Sequence, residues 1–333
     1  MPPRISVIIS TYNAELFIRG RLENLVNQTI FSETEVIVVN SGSQQNEEHI
    51  VRDFQKQYSN IIYLSTHQRE TIYKAWNRGI AIAHGKYIAN ANTDDRSRKD
   101  ALEIFAQTLD MYPKVGMVYA DQYVTSMPNA SYENSIRGKR NFRYPFSRLR
   151  LLAGYYLGSQ QMWRASLHFQ DEIWFDEQYE VTGDYDFACR VAELYDLLLV
   201  EDVLGIYYLS KTKSNKQYQN MDRFLCEDTK VREKYLQRYL VELSTEQLNR
   251  LYKTTRFWVA IPKLVYPIMH RIMDVVDPRS QIANRIFWCW LGSHLEEQRG
   301  KIEAAKSCCR KCLNIPSANV IHRRYHDLLE KYQ

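Results

Sequence analysis

The chain has 333 residues, 45% of them hydrophobic, which is enough to bury one large core or two modest ones and excludes a disordered protein. Its 44 basic and 39 acidic residues leave a formal charge of only +5, so we expect no nucleic-acid partner. Six cysteines are too few for the disulfide framework of a secreted domain of this length, and we expect reduced thiols.

No signal peptide precedes the first strand-like segment, residues 5–10. The aromatic stretch 257–273 is interrupted by Pro262, Lys263 and Pro267, and so falls short of the ~20 uninterrupted apolar residues of a membrane-spanning helix. We therefore expect a cytoplasmic protein. The same stretch is typical of a buried helix and of an interfacial segment, which leaves peripheral contact with the inner face of the membrane open.

Short apolar, β-rich runs alternate with helical patterns over the first part of the chain. The predicted strand and helix pairs are residues 5–10 and 15–28, 35–40 and 47–58, 61–65 and 71–83, and 87–91 and 99–111, followed by a strand at 115–125. This alternation predicts an α/β fold with a mostly parallel sheet. Ligands bind beyond the carboxyl ends of such strands, so residues 11–13, 40–43 and 92–95 should converge on one crevice.

The rest of the chain has a different pattern. Residues 132–156 are aromatic and basic without clean periodicity, which indicates substrate-binding loops. Helical patterns then cover residues 222–242, 245–252, 256–273, 281–298, 302–313 and 320–332. We predict a domain at 1–216, with a donor half at 1–125 and an acceptor half at 126–216, and an α-helical C-terminal region at 217–333.

Two carboxylate clusters lie at the ends of predicted elements. Asp94 and Asp95 come after the strand 87–91, where their oxygens could hold Mg²⁺ or Mn²⁺. Asp184 comes just before an amphipathic helix and could act as a base. Helix capping explains both positions equally simply, with Asp95 capping a helix that begins near Lys99.

A series of short blocks over roughly residues 4–215 resembles, in order and spacing, the blocks of glycosyltransferase family 2. The blocks are SVIISTYN (6–13), QT (28–29), VIVVNSGS (36–43), IYKAWNRGI (72–80), AHGKYI (83–88), NTDD (92–95), MWR (162–164), FDE (175–177) and GDYDF (183–187). The resemblance favours functional roles over capping. It implies the GT-A nucleotide-sugar-binding fold, an inverting transfer, a nucleotide-sugar donor, above all a UDP-sugar, and a divalent metal, Mg²⁺ or Mn²⁺.

The resemblance also implies where the nucleoside binds. Ser10, Thr11 and Tyr12 would lie against it, while Asn40 and Ser41 stand where family members usually carry acidic residues near base and ribose. Without a carboxylate there, the usual acceptor for a uracil N–H is lost, so this departure leaves uridine, guanosine and thymidine open.

The family's metal and base positions are occupied, each with one departure. Asn92 takes the first position of the Asp-x-Asp signature and Asp94 the third, so Asp94 and the adjacent Asp95 are the implied metal ligands, with Asn92 near the donor. Asp184 matches the acceptor-activating base, and Gly183 replaces the Glu that usually precedes it.

Several basic residues are candidates for the donor phosphates. Ser210 stands where many relatives carry the His of an Arg-x-His segment, and Lys211 and Lys213 could supply charge instead, as could Arg69 and Lys74. A solvated loop is the simpler interpretation for Lys211 and Lys213, and ordinary surface charge is an equally simple one for Arg69 and Lys74.

The helical tail carries two weaker patterns. Residues 285–318 approach the spacing of one tetratricopeptide repeat, and a lone repeat would have to pack on neighbouring helices or on a protein partner. Cys309, Cys312, His322 and His326 superficially offer four zinc ligands, but helical packing explains the cysteines better.

Together these patterns predict an inverting, metal-dependent glycosyltransferase that acts on a glycan or lipid-linked acceptor, in the synthesis of a bacterial surface polysaccharide or glycan. The alternative is a catalytically inactive relative that binds partners through its helical tail. A nucleotidyltransferase has no support, because no glycine-rich phosphate loop opens the chain.

Overall fold

The computed structural model describes residues 2–136, 138–210, 220–260, 281–313, 315 and 319–332. The chain divides into two compact units: residues 1–148 with 155–224, and residues 149–154 with 225–333.

The first unit is built on a nine-stranded sheet with strand order β3-β2-β1-β4-β8-β6-β9-β5, and β7 pairs with β6. The strands are β1 (Ile5–Thr11), β2 (Thr34–Ser41), β3 (Ile61–Thr66), β4 (Tyr87–Asn90), β5 (Arg96–Ser97), β6 (Val115–Thr125), β7 (Lys139–Asn141), β8 (Gln161–Arg164) and β9 (Asp196–Tyr208). The helices of this unit are α1 (Glu15–Val26), α2 (Glu47–Gln55), α3 (Ile72–Ile80), α4 (Ala101–Met111), α5 (Tyr132–Ser135), α7 (Ser166–Phe169) and α8 (Gly183–Leu194), whereas α6 (Arg148–Ala153) belongs, apart from Arg148, to the second unit. The predicted α/β class is confirmed.

Parallel pairing of β1 with β2 and β4, and of β2 with β3, brings their carboxyl ends to one edge of the sheet. β1 and β2 are buried on both faces, which is why their sequences are nearly continuous runs of Val and Ile. Their side chains form the main apolar core with those of α1, α2 and α4. Because this core holds the parallel strands in place, it determines at which edge of the sheet the predicted crevice lies.

Three helices begin or end at residues other than the predicted ones. α1 ends at Val26, because Gln28 turns away and its amide donates to the carbonyl of Arg98. α3 begins one residue later than predicted, after Thr71, whose hydroxyl accepts from the backbone N–H of Lys74. α4 begins at Ala101 because Arg96–Ser97 forms a short strand beside β9.

The helical region contains α9 (Met221–Glu242), α10 (Thr245–Ala260), α11 (Gln281–Gln298), α12 (Ile302–Arg310) and α13 (Asn319–Lys331). Two predicted helices, 245–252 and 256–273, are one helix as far as residue 260, and residues 261–273 lie outside the described part. A Cβ on Gly292 would lie 3.2 to 3.4 Å from side chains of Val259, Thr255 and Cys308, so the small residue allows α10, α11 and α12 to pack closely. Pro316, part of the predicted repeat, is outside the described residues.

The described residues include no helix long and apolar enough to cross a membrane. They also include no cluster of the four predicted zinc ligands. Cys309 and Cys312 are buried, and among the described residues the one close group of three His, Cys, Asp or Glu side chains is His326, Asp327 and Glu330 on α13.

Candidate active site

The loops that follow β1 and β2 are tied together at the crevice. The side-chain oxygen of Asn13, whose φ is 50°, accepts from the hydroxyl of Ser43 and the backbone N–H of Gln44. The buried carboxylate of Glu47 accepts from the same Ser43 hydroxyl at 2.6 Å and from the N–H of Ala14 at 2.7 Å. These bonds give the predicted nucleoside loops one fixed arrangement.

Both residues that depart from the family pattern on β2 hold neighbouring segments. The amide of Asn40 donates to the hydroxyl of Tyr63 at 2.9 Å and its oxygen accepts from the N–H of Ser43. The buried Ser41 hydroxyl donates to the carbonyl of Glu70 and accepts from its N–H. Ser41 therefore fixes the segment that carries Arg69.

Arg69 and Tyr12, predicted independently, lie together. The guanidinium carbon of Arg69 is 4.3 Å from the ring centroid of Tyr12, and Arg69 is exposed. Ser10 and the buried Thr11 end β1 beside them, and the Thr11 hydroxyl is 3.5 Å from the Glu47 carboxylate. A flat, positively charged surface of this kind suits a nucleoside phosphate.

Asp95 is held by three donors. One carboxylate oxygen accepts from the N–H of Tyr208 at 2.9 Å, and the other accepts from the Ser159 hydroxyl at 2.5 Å and the Asn92 amide at 3.3 Å. The oxygen that accepts from Tyr208 keeps a second lone pair that could coordinate an ion, although the three hydrogen bonds restrict how the carboxylate can turn. Its charge nevertheless lies next to Asp94.

Asp94 differs from its neighbour. It is half-buried, and its carboxylate receives no hydrogen bond from another residue's side chain in the described part of the chain. Burial and the adjacent Asp95 charge raise the pKa of Asp94 above its ordinary value. A hard divalent cation such as Mg²⁺ or Mn²⁺ fits this donor set of carboxylate oxygens.

Asp184 lies in the first turn of α8 and is surrounded by aromatic groups. Its carboxylate accepts from the N–H of Tyr185 at 2.9 Å and from the Tyr73 hydroxyl at 3.3 Å, and the Tyr155 hydroxyl is also a hydrogen-bonding partner. Burial raises the pKa of Asp184 to about 6, even though these hydrogen bonds lower it. A carboxyl group of this pKa is mostly ionised at neutral pH and can still accept a proton.

Gly183 has a steric reason to replace the family's Glu. A Cβ at this position would lie 2.7 Å from ring carbons of Tyr73, closer than side chains tolerate. The ring therefore takes the space that a longer residue would need, and its hydroxyl reaches Asp184.

Residues 155–161 connect the two carboxylate centres. Tyr155 bonds Asp184 at one end, and Ser159 bonds Asp95 at the other. Between them the Gln161 amide donates to the Tyr155 hydroxyl at 2.9 Å, and Asn90, at the end of β4, donates to the carbonyl of Ser159 at 3.3 Å. Asp94, Asp95 and Asp184 therefore belong to one connected site.

Lys74, Ser210, Lys211 and Lys213 were the other positions considered for the donor phosphates. Lys74 lies 3.6 Å from the Glu70 carboxylate on the surface, and Ser210 is buried. Lys211 and Lys213 lie outside the described residues. Sequence reasoning missed Tyr73, Tyr155 and Ser159, of which only Tyr73 lay within a family block; it also missed the buried arginines behind the Asp94 loop.

Known proteins resemble this chain in sequence and in structure. The model of glycosyl transferase family 2 matches residues 6–169. An uncharacterized glycosyltransferase of Methanocaldococcus jannaschii is 24% identical over 229 residues, 65% of this chain and 77% of the relative.

Two solved structures share the fold. TarS residues 1–349 from S. aureus, in complex with UDP, has a TM-score of 0.56 at 17% identity, with 99% of this chain and 91% of that chain covered. The mannosyltransferase PcManGT of Pyrobaculum calidifontis, in complex with GDP-Man and Mn²⁺, has a TM-score of 0.56 at 16% identity, with 100% and 82% covered. Residues 6–169 therefore match glycosyl transferase family 2, and the chain shares the GT-A fold of these solved structures.

Proposed function

We propose that the protein is an inverting glycosyltransferase that takes its sugar from a nucleotide diphosphate sugar. The observation that carries the proposal is the connection of two unlike carboxylate centres by residues 155–161 at the carboxyl edge of the sheet. Ser10, Thr11, Tyr12, Asn40 and Ser41 would line the nucleoside position.

The donor phosphates would lie at the first centre. Asp94, with Asp95 behind it, would hold Mg²⁺ or Mn²⁺, and Asn92 and Arg69 would be near the donor. When bound, the cation would neutralise the charge of the leaving diphosphate. Mg²⁺ is usually held by one or two carboxylates together with substrate phosphates, which fits a loop in which one carboxylate receives no hydrogen bond from any other side chain of the described residues.

Asp184 would be the base. Its carboxylate would take the proton of an acceptor hydroxyl as the hydroxyl oxygen bonds to the anomeric carbon and the bond to the diphosphate breaks. Attack opposite the leaving group inverts the configuration at that carbon. The hydroxyls of Tyr73 and Tyr155, whose pKa values burial raises well above their ordinary value, stay protonated and orient the carboxylate.

The acceptor would be a glycan or a lipid-linked glycan, as in the assembly of a bacterial surface polysaccharide. This part of the proposal rests on the family resemblance, as does action at the cytoplasmic face of the membrane. The donor is proposed as a UDP-sugar; the printed titles of the similar structures name UDP for one protein and GDP-Man for another.

Thermal unfolding with UDP, GDP, TDP and CDP, each with and without Mn²⁺, tests the donor site. A ligand at a hundredfold its dissociation constant adds about 2.7 kcal/mol of stability. We expect one nucleotide to stabilise the protein only with Mn²⁺, and Asp94→Ala to lose that effect. Asp100→Ala removes an Asp beyond the loop and should keep it. No stabilisation by any nucleotide would contradict the proposal and favour an inactive binding module.

A further inference from the structure

Two buried arginines lie behind the loop that carries Asp94. Arg96 is 4% exposed and Arg21 is 1% exposed. Both donate to the same main-chain carbonyl, that of Asp95, at 2.7 and 3.2 Å. Buried guanidinium groups are costly unless their hydrogen bonds are used, so this pair calls for an explanation.

Arg96 connects the loop to two other segments. One terminal nitrogen donates to the carbonyls of Thr93 and Asp95, on both sides of Asp94, at 2.8 and 2.7 Å. The other donates to the carbonyl of Phe17 on α1 at 3.3 Å and to the side-chain oxygen of Asn129 at 2.5 Å. One planar side chain thus bonds the main-chain carbonyls of the residues before and after Asp94.

The fit around Arg96 is tight. A Cβ on Gly20 would lie 2.6 Å from a terminal nitrogen of Arg96, so α1 passes against the guanidinium with no room for a larger residue. Asn129, which is exposed and has a φ of 56°, donates back to the carbonyl of Leu16 on α1. The Arg96 guanidinium is therefore attached to the helix that follows the predicted nucleoside loop.

Arg21 adds a second attachment from the same helix. Besides the Asp95 carbonyl, its terminal nitrogen donates to Asn24 and to the Ser97 hydroxyl. Asn24 in turn bonds both the N–H and the carbonyl of Ser97, each at 2.8 Å. Burial, and then the Arg96 charge, lower the pKa of Arg21 to about 9, which still leaves it charged at neutral pH. Two positive charges therefore lie behind the two carboxylates.

We propose that Arg96, assisted by Arg21, is a positioning residue for the donor site, holding the Thr93–Asp95 peptide groups so that the Asp94 carboxylate faces the metal and the donor diphosphate. The inference rests on the proposed metal site. The side chains touch neither substrate nor metal; they act through the loop. Supporting groups of this kind typically change metal affinity by about 10- to 100-fold when removed.

Arg96→Lys tests the proposal, because it keeps the charge and removes the planar fork that bonds two carbonyls. Calorimetry would give the affinity for the nucleotide at fixed Mn²⁺ and the Mn²⁺ concentration at half-saturation. We expect this concentration to rise about 10- to 100-fold. Hydrogen exchange should accelerate at residues 91–97 in the absence of any ligand.

Arg98→Lys is the matched control, because Arg98 is two residues away and pairs with Asp100 and Asp202 instead of the loop. It should leave metal affinity within about twofold and exchange at 91–97 unchanged. If Arg96→Lys does not fold, Asn129→Gly removes an exposed acceptor of Arg96, allows the positive φ, and should shift both readouts in the same direction by a smaller factor.

The outcomes distinguish failure of the proposed donor site from failure of the proposed role of Arg96. Wild-type protein that binds no nucleotide with Mn²⁺ would overturn the proposed donor site itself. Normal wild-type binding that Arg96→Lys or Asn129→Gly leaves unchanged in a folded protein would overturn this inference alone, as would an equal loss of affinity in Arg98→Lys.

Discussion

The two carboxylate centres of the first unit have similar sequence contexts and different surroundings. Around Asp94 and Asp95 the supporting groups are charged or polar, and two buried arginines lie behind the loop. Around Asp184 the hydrogen-bond donors are two tyrosine hydroxyls and one main-chain N–H. The difference teaches that one residue type can have unlike surroundings within one site, and in the proposed mechanism these surroundings suit Asp94 to a cation and Asp184 to a proton.

Replacing the proposed base should have the largest effect. Asp184→Asn keeps the shape and hydrogen-bonding oxygen but cannot take a proton, so we expect turnover to fall by about 10²- to 10⁴-fold. Turnover can be followed as nucleoside diphosphate released from the nucleotide sugar. Near-normal turnover would rule out Asp184 as the base.

A methyl group on Gly183 should disturb the packing beneath the base. Gly183→Ala places a carbon 2.7 Å from the Tyr73 ring, and overpacking of this kind costs about 1 to 3 kcal/mol of unfolding free energy. In a Tyr73→Leu background the same change should cost little, which a double-mutant cycle by urea unfolding would measure. Equal costs in both backgrounds would mean that the ring is not the obstacle.

The pH dependence of turnover should report the Asp184 environment. Because the base acts as the carboxylate, turnover should rise as the pH passes about 6. Tyr73→Phe removes a hydrogen bond that lowers the pKa of Asp184, so the acidic limb should move to higher pH, by up to about one pH unit. A limb that stays in place or moves to lower pH would show that Tyr73 does not stabilise the ionised form.

The smallest effect belongs to Arg69. It stacks on Tyr12 while exposed, and cation–π contacts at exposed sites are worth about 0.5 to 1 kcal/mol. Arg69→Ala should therefore raise the KM for the donor by less than about tenfold and leave kcat unchanged. A large fall in kcat would give Arg69 a role in the reaction itself.

The sequence was sufficient to predict the apolar strands of residues 1–125. β1 and β2 are buried on both faces, so their continuous Val and Ile runs are an unambiguous signal. β5 was missed because two polar residues, Arg96 and Ser97, show no periodicity. Pairing with β9, more than a hundred residues away, makes them a strand.

Contacts between distant segments also explain why part of the candidate site was not predicted from the sequence. Asp94 and Asp184 follow apolar elements at family spacing, and so could be singled out. Ser159 and Tyr155 meet the carboxylates only through the register of distant segments, which no local pattern encodes. Arg21 did leave a signal, since helical spacing puts it on the buried face of α1 with Ile18 and Leu25.

The most direct test of this division of roles is nucleotide-sugar binding, measured by calorimetry with Mn²⁺ in two variants side by side. Asp94→Ala should lose metal-dependent binding, whereas Asp184→Asn should bind the donor with near wild-type affinity while turning it over at least about a hundredfold more slowly. Equal loss of binding in both variants, or full binding in Asp94→Ala, would contradict the account.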